Sequence, residues 1–207
     1  MAQVVSVNLS RIRQSIIHHA GRVLMHGGVI LYPTDTIYGL GCNALDEPAI
    51  KRIFLIKQRE EAKPMLLLVR NLAMVRALVE EITPLARSLI KKHWPGPLTI
   101  IFKAKPQISK LLTARTGKIG VRLPKNNFCR QLIAFCNVPI VSTSANVSGQ
   151  KSETDVDYIS KQFSHRVDLV INGGILHSSP PSTVIDLSEN TIVIVREGAI
   201  PGREISP

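Results

Sequence analysis

Acidic residues are scarce in this sequence of 207 residues: 15 Asp and Glu stand against 26 Lys and Arg, which gives a formal net charge of +11 at pH 7. A basic excess of this size favours a polyanionic partner, such as nucleotide phosphates or RNA, over a merely soluble basic surface. Aromatic residues are also few, with one tryptophan, three tyrosines and five phenylalanines. They do not alternate with basic residues, which disfavours recognition of single strands by base stacking.

Long apolar runs and recognisable metal motifs are absent as well. No apolar stretch reaches the roughly 18 residues of a membrane span, and the segment MAQVVSVNLSRIR lacks the basic lead and apolar stretch of a secretory signal. The spacings of Cys42, Cys129 and Cys136 fit neither a disulfide framework nor a zinc ligand set. HExxH, CxxC, GxSxG and P-loop motifs do not occur. We therefore expect a reduced, cytoplasmic protein with no membrane contact and no metal site of its own.

The apolar residues that are present, 44% of the chain, are enough for a substantial core. Helical periodicity is found at 8–26, 48–58, 72–80, 84–93, 126–136 and 154–163. Strand-like segments occupy 29–32, 65–69, 98–104, 119–124, 138–141, 167–171, 183–187 and 191–197, the last two as a hairpin. This alternation predicts an α/β fold with a twisted mixed sheet flanked by helices, as a single domain over residues 1–207 with a core at about 9–200.

The segment Thr34-Asp35-Thr36 follows a predicted buried strand and precedes Tyr38-Gly39-Leu40-Gly41. Its hydroxyls and backbone N–H groups suit a small polar ligand, and the glycines permit a close backbone approach. The alternative is an ordinary glycine-rich connector. We favour the ligand site, because this pattern is far more particular than a lone glycine motif.

A second polar segment, Lys57-x-Arg59 with Lys63-Pro64, places three cations within seven residues after a predicted helix. Three such cations can neutralise a triphosphate. The same residues also suit a solvated helix end, where Lys and Arg interact well with the helix dipole. From these residues alone, both interpretations stay open.

A third segment, from Ser142 to Gly149, reads STSANVSG after the strand VPIV. Its hydroxyl and amide groups can donate to phosphate oxygens, or alternatively cap turns in the backbone. Pro181-Ser182-Thr183 and Arg196-Glu197-Gly198 are weaker signals of the same kind. Because ligand sites in open α/β sheets form where loops leave the strand ends, we expect these segments to share one cleft.

Taken in order, PTDTIYGLG, KQR with KP, STSAN-x-SG, PSTVID and REG resemble the YrdC-like family over about residues 29–200. The resemblance implies the YrdC-like fold with an open basic cleft, in the short, single-domain type. It also implies a nucleotidyltransferase, threonylcarbamoyl-AMP synthase. Such an enzyme converts L-threonine, bicarbonate and ATP to threonylcarbamoyl-AMP and pyrophosphate. Downstream threonylcarbamoyl-transfer proteins then modify tRNA to N6-threonylcarbamoyladenosine.

The resemblance also implies roles for individual residues. It assigns the phosphates of ATP, and catalysis, to Lys57, Arg59, Ser144 and Asn146. It adds Lys63 and Arg196 to the ATP site. It assigns L-threonine to Thr36, Arg122, Thr143 and Ser182. Mg²⁺ is expected to accompany ATP with few protein ligands. The chain departs from the family at Glu60, where proline is usual, and at Asp35, where glutamate is more common.

Two other functions compete with this one. The first is an RNA-binding module of the same fold without adenylylating activity, with tRNA on the basic surface; its binding would fall steeply with salt and need neither threonine nor ATP. The second is a paralogue of the same fold with another small-molecule role. The intact KxR, KP and SxN elements argue against the latter.

Overall fold

The computed structural model describes residues 1–58, 64–147, 153–176 and 180–205. These residues form ten strands and seven α-helices. The strands are β1 Gln3–Ser6, β2 Ile30–Pro33, β3 Tyr38–Asn43, β4 Leu66–Leu68, β5 Leu98–Lys103, β6 Lys118–Arg122, β7 Ile140–Ser144, β8 Leu169–Asn172, β9 Thr183–Asp186 and β10 Val193–Arg196. The helices are α1 Gln14–Met25, α2 Glu47–Lys57, α3 Leu72–Leu78, α4 Pro84–His93, α5 Lys110–Thr113, α6 Asn127–Cys136 and α7 Val156–Phe163.

All ten strands belong to one mixed sheet, in the order β1-β8-β2-β3-β7-β4-β6-β5-β9-β10. Parallel pairs such as β4 with β6 and β5 with β9 stand beside antiparallel pairs such as β3 with β7 and β5 with β6. The C-terminal strands form the predicted antiparallel hairpin, β9 with β10. The single-domain α/β fold with a mixed sheet and flanking helices is therefore confirmed.

The two faces of the sheet are covered unequally. Apolar residues of α2, α3, α4 and α7 pack with Leu31, Leu67, Ile100 and Val121 in one large core cluster. On the opposite face, α1 and α6 form a smaller cluster with residues of β2, β8 and β7. Because side chains alternate along a strand, the residues between those of the large cluster point to this second face.

Beyond the area packed by α1 and α6, the second face continues as what we call the open face. It is made of Leu66, Leu68, Thr99, Ile101, Gly120, Arg122, Ser142, Ser144 and Val184. Cross-strand register places them side by side: Gly120 is opposite both Leu66 and Ile101, and Thr99 is opposite Val184. A cleft lies over this part of the sheet, so the fold itself supplies its floor.

Two local expectations are corrected by the structure. The segment after Thr36, for which no strand was predicted, continues as β3, and its Gly39 and Gly41 pair with β7. A Cβ at Gly41 would lie 2.7 Å from Tyr32 and 2.9 Å from the Val141 carbonyl, so only glycine fits there. The first helix begins at Gln14, after Arg13, whose side chain makes no cap bond, and the residues from 8 to 13, within the predicted range 8–26, are not helical.

Among the described helices, none is long and apolar enough to cross a membrane.

Candidate active site

The cleft over the open face has a volume of ≈ 640 Å³. Its polar side combines the loop after β2, the end of β7, the start of β9 and the end of β10. Its apolar side is formed by Met65, Leu66, Ile101, Val184 and Val195. The volume is within the range of about 300–1,000 Å³ usual for small-molecule sites. Such a cleft suits a ligand with both a charged part and a flat apolar part.

The loop after β2 is held in shape by its own hydroxyl groups. Thr34 Oγ1 donates to the carbonyl oxygen of Ile37 at 2.6 Å and accepts from the N–H of Thr36 at 3.1 Å. Its neighbour Thr36 is 5% exposed and lines the cleft. Thr34 therefore organises the loop, while Thr36 is placed where the sequence predicts a substrate contact.

Arg122 stands at the end of β6 on the open face and is held by two groups. Its Nε donates to the carbonyl oxygen of Gly96 at 3.0 Å, and its Nη2 lies 2.6 Å from Asp35 Oδ2. Both side chains of this ion pair are largely buried, at 4% exposed for Arg122 and 15% for Asp35. None of the hydrogen bonds or ion pairs among the described residues uses Arg122 Nη1, which leaves a fixed donor for an anion in the cleft.

Arg196 reaches the cleft through an irregularity in β10. Ile194 pairs with Ile185 and Arg196 with Val184, so the register shifts by one residue at Val195. This bulge places Val195 and Arg196 in the cleft together, although neighbours in a regular strand face opposite ways. Arg196 Nη2 donates to the carbonyl oxygen of Ser182 at 2.8 Å. Burial, and to a lesser degree the positive charge of Arg122, lowers the pKa of Arg196.

The strand β7 brings Ser142, Thr143 and Ser144 to the cleft wall. Ser142 Oγ accepts from the hydroxyl of Tyr32 at 2.7 Å. Across the cleft, Ser182 Oγ lies 3.0 Å from Thr99 Oγ1. Gly39, on β3 next to β7, also lines the cleft, and a Cβ there would lie 3.2 Å from Ser142 Oγ. Hydroxyl groups therefore line two opposite sides of the same space.

Lys57 and Asn146 lie together behind the cleft and are not part of its wall. Lys57 is 2% exposed, and its Nζ donates to the carbonyl oxygens of Ser144 at 2.5 Å and Asn146 at 2.7 Å. It also contacts Asn146 Oδ1 at 3.3 Å. Lys57, the last residue of α2, thus anchors the loop after β7, because its ammonium group donates to carbonyl oxygens at the start of that loop.

Of the ten residues predicted for the site, six line the cleft: Thr36, Arg122, Thr143, Ser144, Ser182 and Arg196. Arg59 and Lys63 lie outside the described residues. The segments that carry Thr36, Ser144, Ser182 and Arg196 border one cleft, whereas Lys57 and Asn146 lie outside its wall. The roles assigned to the individual residues stay predictions.

A family model for Sua5, YciO and YrdC proteins, described as "Telomere recombination", matches residues 22–198. The chain belongs to this family. A threonylcarbamoyl-AMP synthase of Pyrococcus abyssi is 35% identical over 94% of this chain and 57% of that protein. A threonylcarbamoyl-AMP synthase of Bacillus subtilis is 30% identical over 91% of this chain and 55% of that protein. The chain thus spans a little over half the length of these two family members.

Solved structures of the family agree with the fold. The crystal structure of P. abyssi Sua5 in complex with L-threonine matches with a TM-score of 0.93 at 35% identity, over 98% of this chain and 59% of that one. The crystal structure of Escherichia coli YciO matches with a TM-score of 0.91 at 33% identity, over 99% of both chains. The name of the latter family member states no activity.

Two features of the cleft were not predicted from the sequence. The first is the apolar part of the open face, including Gly120, which carries no motif. The available signal was the alternation of side chains along a strand, because it makes about half of the residues in LTIIFK and KIGVR face away from the main core. The second is the ion pair of Asp35 with Arg122, which joins two segments far apart in the sequence.

Cysteine and tyrosine side chains near the cleft have structural roles. Burial raises the pKa of the Cys42 and Cys129 thiols strongly, so they stay protonated and unreactive at neutral pH. Burial also raises the pKa of Tyr38 to about 12. Its hydroxyl donates to the carbonyl oxygen of Gly174 and accepts from the N–H of Gly173. The cleft chemistry therefore depends on arginines and hydroxyl groups.

Proposed function

We propose that this chain is a threonylcarbamoyl-AMP synthase, a nucleotidyltransferase that joins L-threonine, bicarbonate and ATP into threonylcarbamoyl-AMP and releases pyrophosphate. The observation that carries the proposal is the convergence of two arginines and the hydroxyl groups of β7 and Ser182 on one cleft with an apolar floor. Membership of the family and the activity named for two relatives support the same reaction.

Threonine is assigned to the end of the cleft where Arg122 lies. The α-carboxylate meets Arg122 Nη1, and the hydroxyl groups of Thr36, Thr143 and Ser182 offer partners for the remaining polar atoms of the amino acid. The complex of P. abyssi Sua5 with L-threonine supports an amino-acid site in this family.

ATP is assigned to the rest of the cleft. The base rests on the apolar floor near Ile101, Gly120 and Val184, and the phosphates face Ser144 and Arg196. Lys57 adds positive charge from behind the loop that carries Ser144 and Asn146. Arg59 and Lys63 complete the phosphate site in this proposal, from outside the described residues.

The reaction needs alignment and charge neutralisation more than acid–base groups. Threonine carbamate, formed from the amine and bicarbonate or dissolved CO₂, attacks the α-phosphorus with a carboxylate oxygen. The bond to pyrophosphate breaks in line, and pyrophosphate leaves with the electron pair. Two anions must meet, so fixed cations and hydroxyl donors stabilise the transition state.

Mg²⁺ is expected to arrive with the triphosphate. Asp35 is the carboxylate among the described cleft residues, and it is already paired with Arg122. The described residues contain no group of three or more His, Cys, Asp and Glu side chains suited to hold a metal ion. The ion would then take its ligands mainly from phosphate oxygens and water, as Mg²⁺ does in many nucleotide sites.

A second candidate function is a different small-molecule reaction on the same fold. It is retained because E. coli YciO, which matches this chain with a TM-score of 0.91 at 33% identity, carries no activity in its name. The comparisons give the RNA-binding alternative no comparable support. Transfer of the product to tRNA by partner proteins remains part of the proposal for the enzyme.

Measuring pyrophosphate release tests the proposal. The purified chain is incubated with ATP, Mg²⁺, L-threonine and bicarbonate, and each component is omitted in turn. A synthase releases pyrophosphate only when threonine, bicarbonate and ATP are all present, and it yields threonylcarbamoyl-AMP detectable by mass spectrometry. Release without threonine, or none with all components, would overturn the proposal and favour the second candidate.

A further inference from the structure

The side chain of Tyr32 connects the core under α1 and α6 to the edge of the cleft. Tyr32 is fully buried and belongs to the smaller core cluster, where its ring packs beside Phe128. The ring crosses the sheet over Gly41, since a Cβ at Gly41 would lie 2.7 Å from it. Gly41 is paired with Ser142 on the neighbouring strand, and the hydroxyl at the end of the ring lies 2.7 Å from Ser142 Oγ. Tyr32 therefore reaches the cleft wall through Ser142.

The hydrogen bond between these two side chains has one direction. Tyr32 Oη donates to Ser142 Oγ, which is the one partner that the described part of the chain offers this hydroxyl. A buried tyrosine hydroxyl needs such a partner. Burial raises the pKa of Tyr32 well above its ordinary value, although the bond to Ser142 and the positive charge of Arg122 act in the opposite direction. The phenol therefore stays protonated at neutral pH and remains a donor.

The bond from Tyr32 decides where the hydroxyl hydrogen of Ser142 can point. A serine hydroxyl has one hydrogen and two lone pairs, and the hydrogen of Tyr32 occupies one of the lone pairs. The hydrogen of Ser142 cannot point back to Tyr32, and none of the described residues accepts it. Ser142 is 5% exposed and lines the cleft. Its hydrogen is therefore available to a ligand in the cleft.

The cleft has room for a ligand atom beside this hydroxyl. Gly39 lines the cleft on the strand next to Ser142, and a Cβ at Gly39 would lie 3.2 Å from Ser142 Oγ. The next nearest atom to that position, Thr34 Cγ2, would be 3.4 Å away. The space that a side chain at Gly39 would fill is thus open. A ligand oxygen in it would be within reach of the Ser142 hydrogen.

The charge at this end of the cleft indicates which ligand group the hydroxyl meets. Tyr32 precedes Asp35 by three residues, and Asp35 is paired with Arg122. The charge of Arg122 also acts on the Tyr32 phenol. Ser142, which is bonded to that phenol, therefore belongs to the same end of the cleft as Arg122. A hydroxyl donor beside a fixed guanidinium group suits a carboxylate, which offers an oxygen to each donor.

We infer that Tyr32 is a positioning residue of the amino-acid site: it fixes the hydroxyl of Ser142, which donates to the substrate carboxylate that Arg122 binds. The inference rests on the proposed function and deepens it. Tyr32 itself touches no substrate. A serine whose hydrogen is already directed loses less freedom on binding than one that rotates freely. Tyr32 therefore strengthens the binding of threonine and has no contact with ATP.

A double-mutant cycle on L-threonine binding, measured by calorimetry, tests the inference. Tyr32→Phe should weaken threonine binding by about 3- to 10-fold, because the hydrogen bond that orients Ser142 is lost. Ser142→Ala should weaken it by about 10- to 100-fold, as for loss of a donor to a charged group. The double variant should bind threonine within about twofold of Ser142→Ala, because Tyr32 then has no hydroxyl to orient. The KM for ATP of Tyr32→Phe should stay within about twofold of the wild type.

Two further variants complete the experiment. Thr113→Val also removes a buried hydroxyl group, but one outside the cleft wall. It is the matched control and should bind threonine as the wild type does. Gly39→Ala places a methyl group in the open space beside Ser142 and should weaken threonine binding while Tyr32 is intact. This variant keeps the inference testable if Tyr32→Phe does not fold.

The contrary outcomes are distinct. If Tyr32→Phe binds threonine as the wild type does, Tyr32 has only a structural role. If the double variant is weaker than Ser142→Ala by the full factor seen in Tyr32→Phe, Tyr32 does not act through Ser142. If Ser142→Ala or Gly39→Ala binds threonine normally, no substrate oxygen lies beside Ser142. Each of these results overturns the inference and leaves the proposed synthase intact. If the wild-type chain does not bind threonine, the proposed function fails, and the inference fails with it.

Discussion

The ammonium group of Lys57 lies 2.7 Å from the carbonyl oxygen of Asn146, so the end of α2 is joined to the loop after β7. This contact gives Lys57 a structural role in addition to any effect of its charge on phosphates. Because the buried ammonium group of Lys57 donates to the carbonyl oxygens of Ser144 and Asn146, it fixes the segment from which Ser144 faces the cleft. The geometry of the phosphate side therefore depends on a residue outside the cleft wall.

Replacing Lys57 with methionine should affect stability and activity together. The carbonyl oxygens of Ser144 and Asn146 lose a charged donor, which should lower the free energy of unfolding by about 1–3 kcal/mol. Pyrophosphate release should fall by about 100-fold or more, as for loss of one preorganised donor. Urea unfolding and the pyrophosphate assay measure the two effects. Lys51→Met, on an exposed position of the same helix, is the control and should change neither. Unchanged stability in Lys57→Met would contradict the tying role.

Arg59→Ala should reduce activity through the transition state. The predicted contact of Arg59 with the phosphates should contribute about 3–4 kcal/mol to catalysis, in line with loss of one oriented donor. The expected result is a lower kcat with a smaller change in the KM for threonine, measured by ATP–pyrophosphate exchange. Wild-type exchange in this variant would remove Arg59 from the site.

Arg196 carries a prediction for the phosphate side of the cleft. Arg196→Ala should lower pyrophosphate release by about 10- to 100-fold, as expected for a lost charged hydrogen bond. Val193→Thr, on the same exposed strand, is the control and should retain activity. Wild-type pyrophosphate release by Arg196→Ala would remove Arg196 from the proposed site.

Gly120 separates a binding effect from a folding effect. A Cβ at this position would meet its nearest neighbour, Thr99 Cγ2, at 3.5 Å, which is ordinary contact. Gly120→Ala should therefore leave the free energy of unfolding within about 1 kcal/mol of the wild type. Gly120→Leu should fill the floor of the cleft and raise the KM for ATP, with little effect on the KM for threonine. Equal increases in both KM values would place the base elsewhere.

Stability should decline in alkaline solution because of buried thiol and phenol groups. Burial raises the pKa of Cys136 from 9.0 to about 11 and that of Tyr38 from 10.0 to about 12. The unfolded chain loses these protons first, so stability is complete below pH 9 and falls as the pH rises through the folded-state pKa values. Urea unfolding between pH 8 and pH 11 measures the fall. Cys136→Ala should show a shallower decline, and an identical slope would refute the role of the thiol.

Much of the fold was predictable because its elements carry strong local signals. The helix at 84–93 has Thr83 as its N-cap and Pro84 at its start, and the structure places α4 at these residues. The hairpin of β9 and β10 was equally clear, with Ser188, Glu189 and Asn190 between two apolar strands. Conversely, β3 was missed, since Gly39 and Gly41 have low strand propensity. They are strand residues because they pair with β7, and the crowding around Gly41 explains why a glycine is needed there; both are tertiary effects.

The residues of the cleft could be predicted where a motif directly follows a strand. Contacts between residues that are far apart in the sequence could not be predicted. Thr36, Ser144 and Arg196 were expected to share a cleft, and they do. The pairing of Asp35 with Arg122 joins residues on separate segments, and no spacing in the sequence encodes it. The same is true of the contact between Lys57 and Asn146, which forms only when α2 packs beside β7.

The half-covered sheet separates the parts of this protein that must be conserved from those that are free to change. The floor of the cleft is a hydrogen-bonded ladder whose alternate residues face the main core, so a substitution that displaces these strands disturbs folding and binding at once. The polar rim is carried by loops and strand ends, where a new side chain alters the ligand and leaves the ladder intact. New substrate preferences on this scaffold should therefore arise by exchange at the rim, with the floor inherited unchanged.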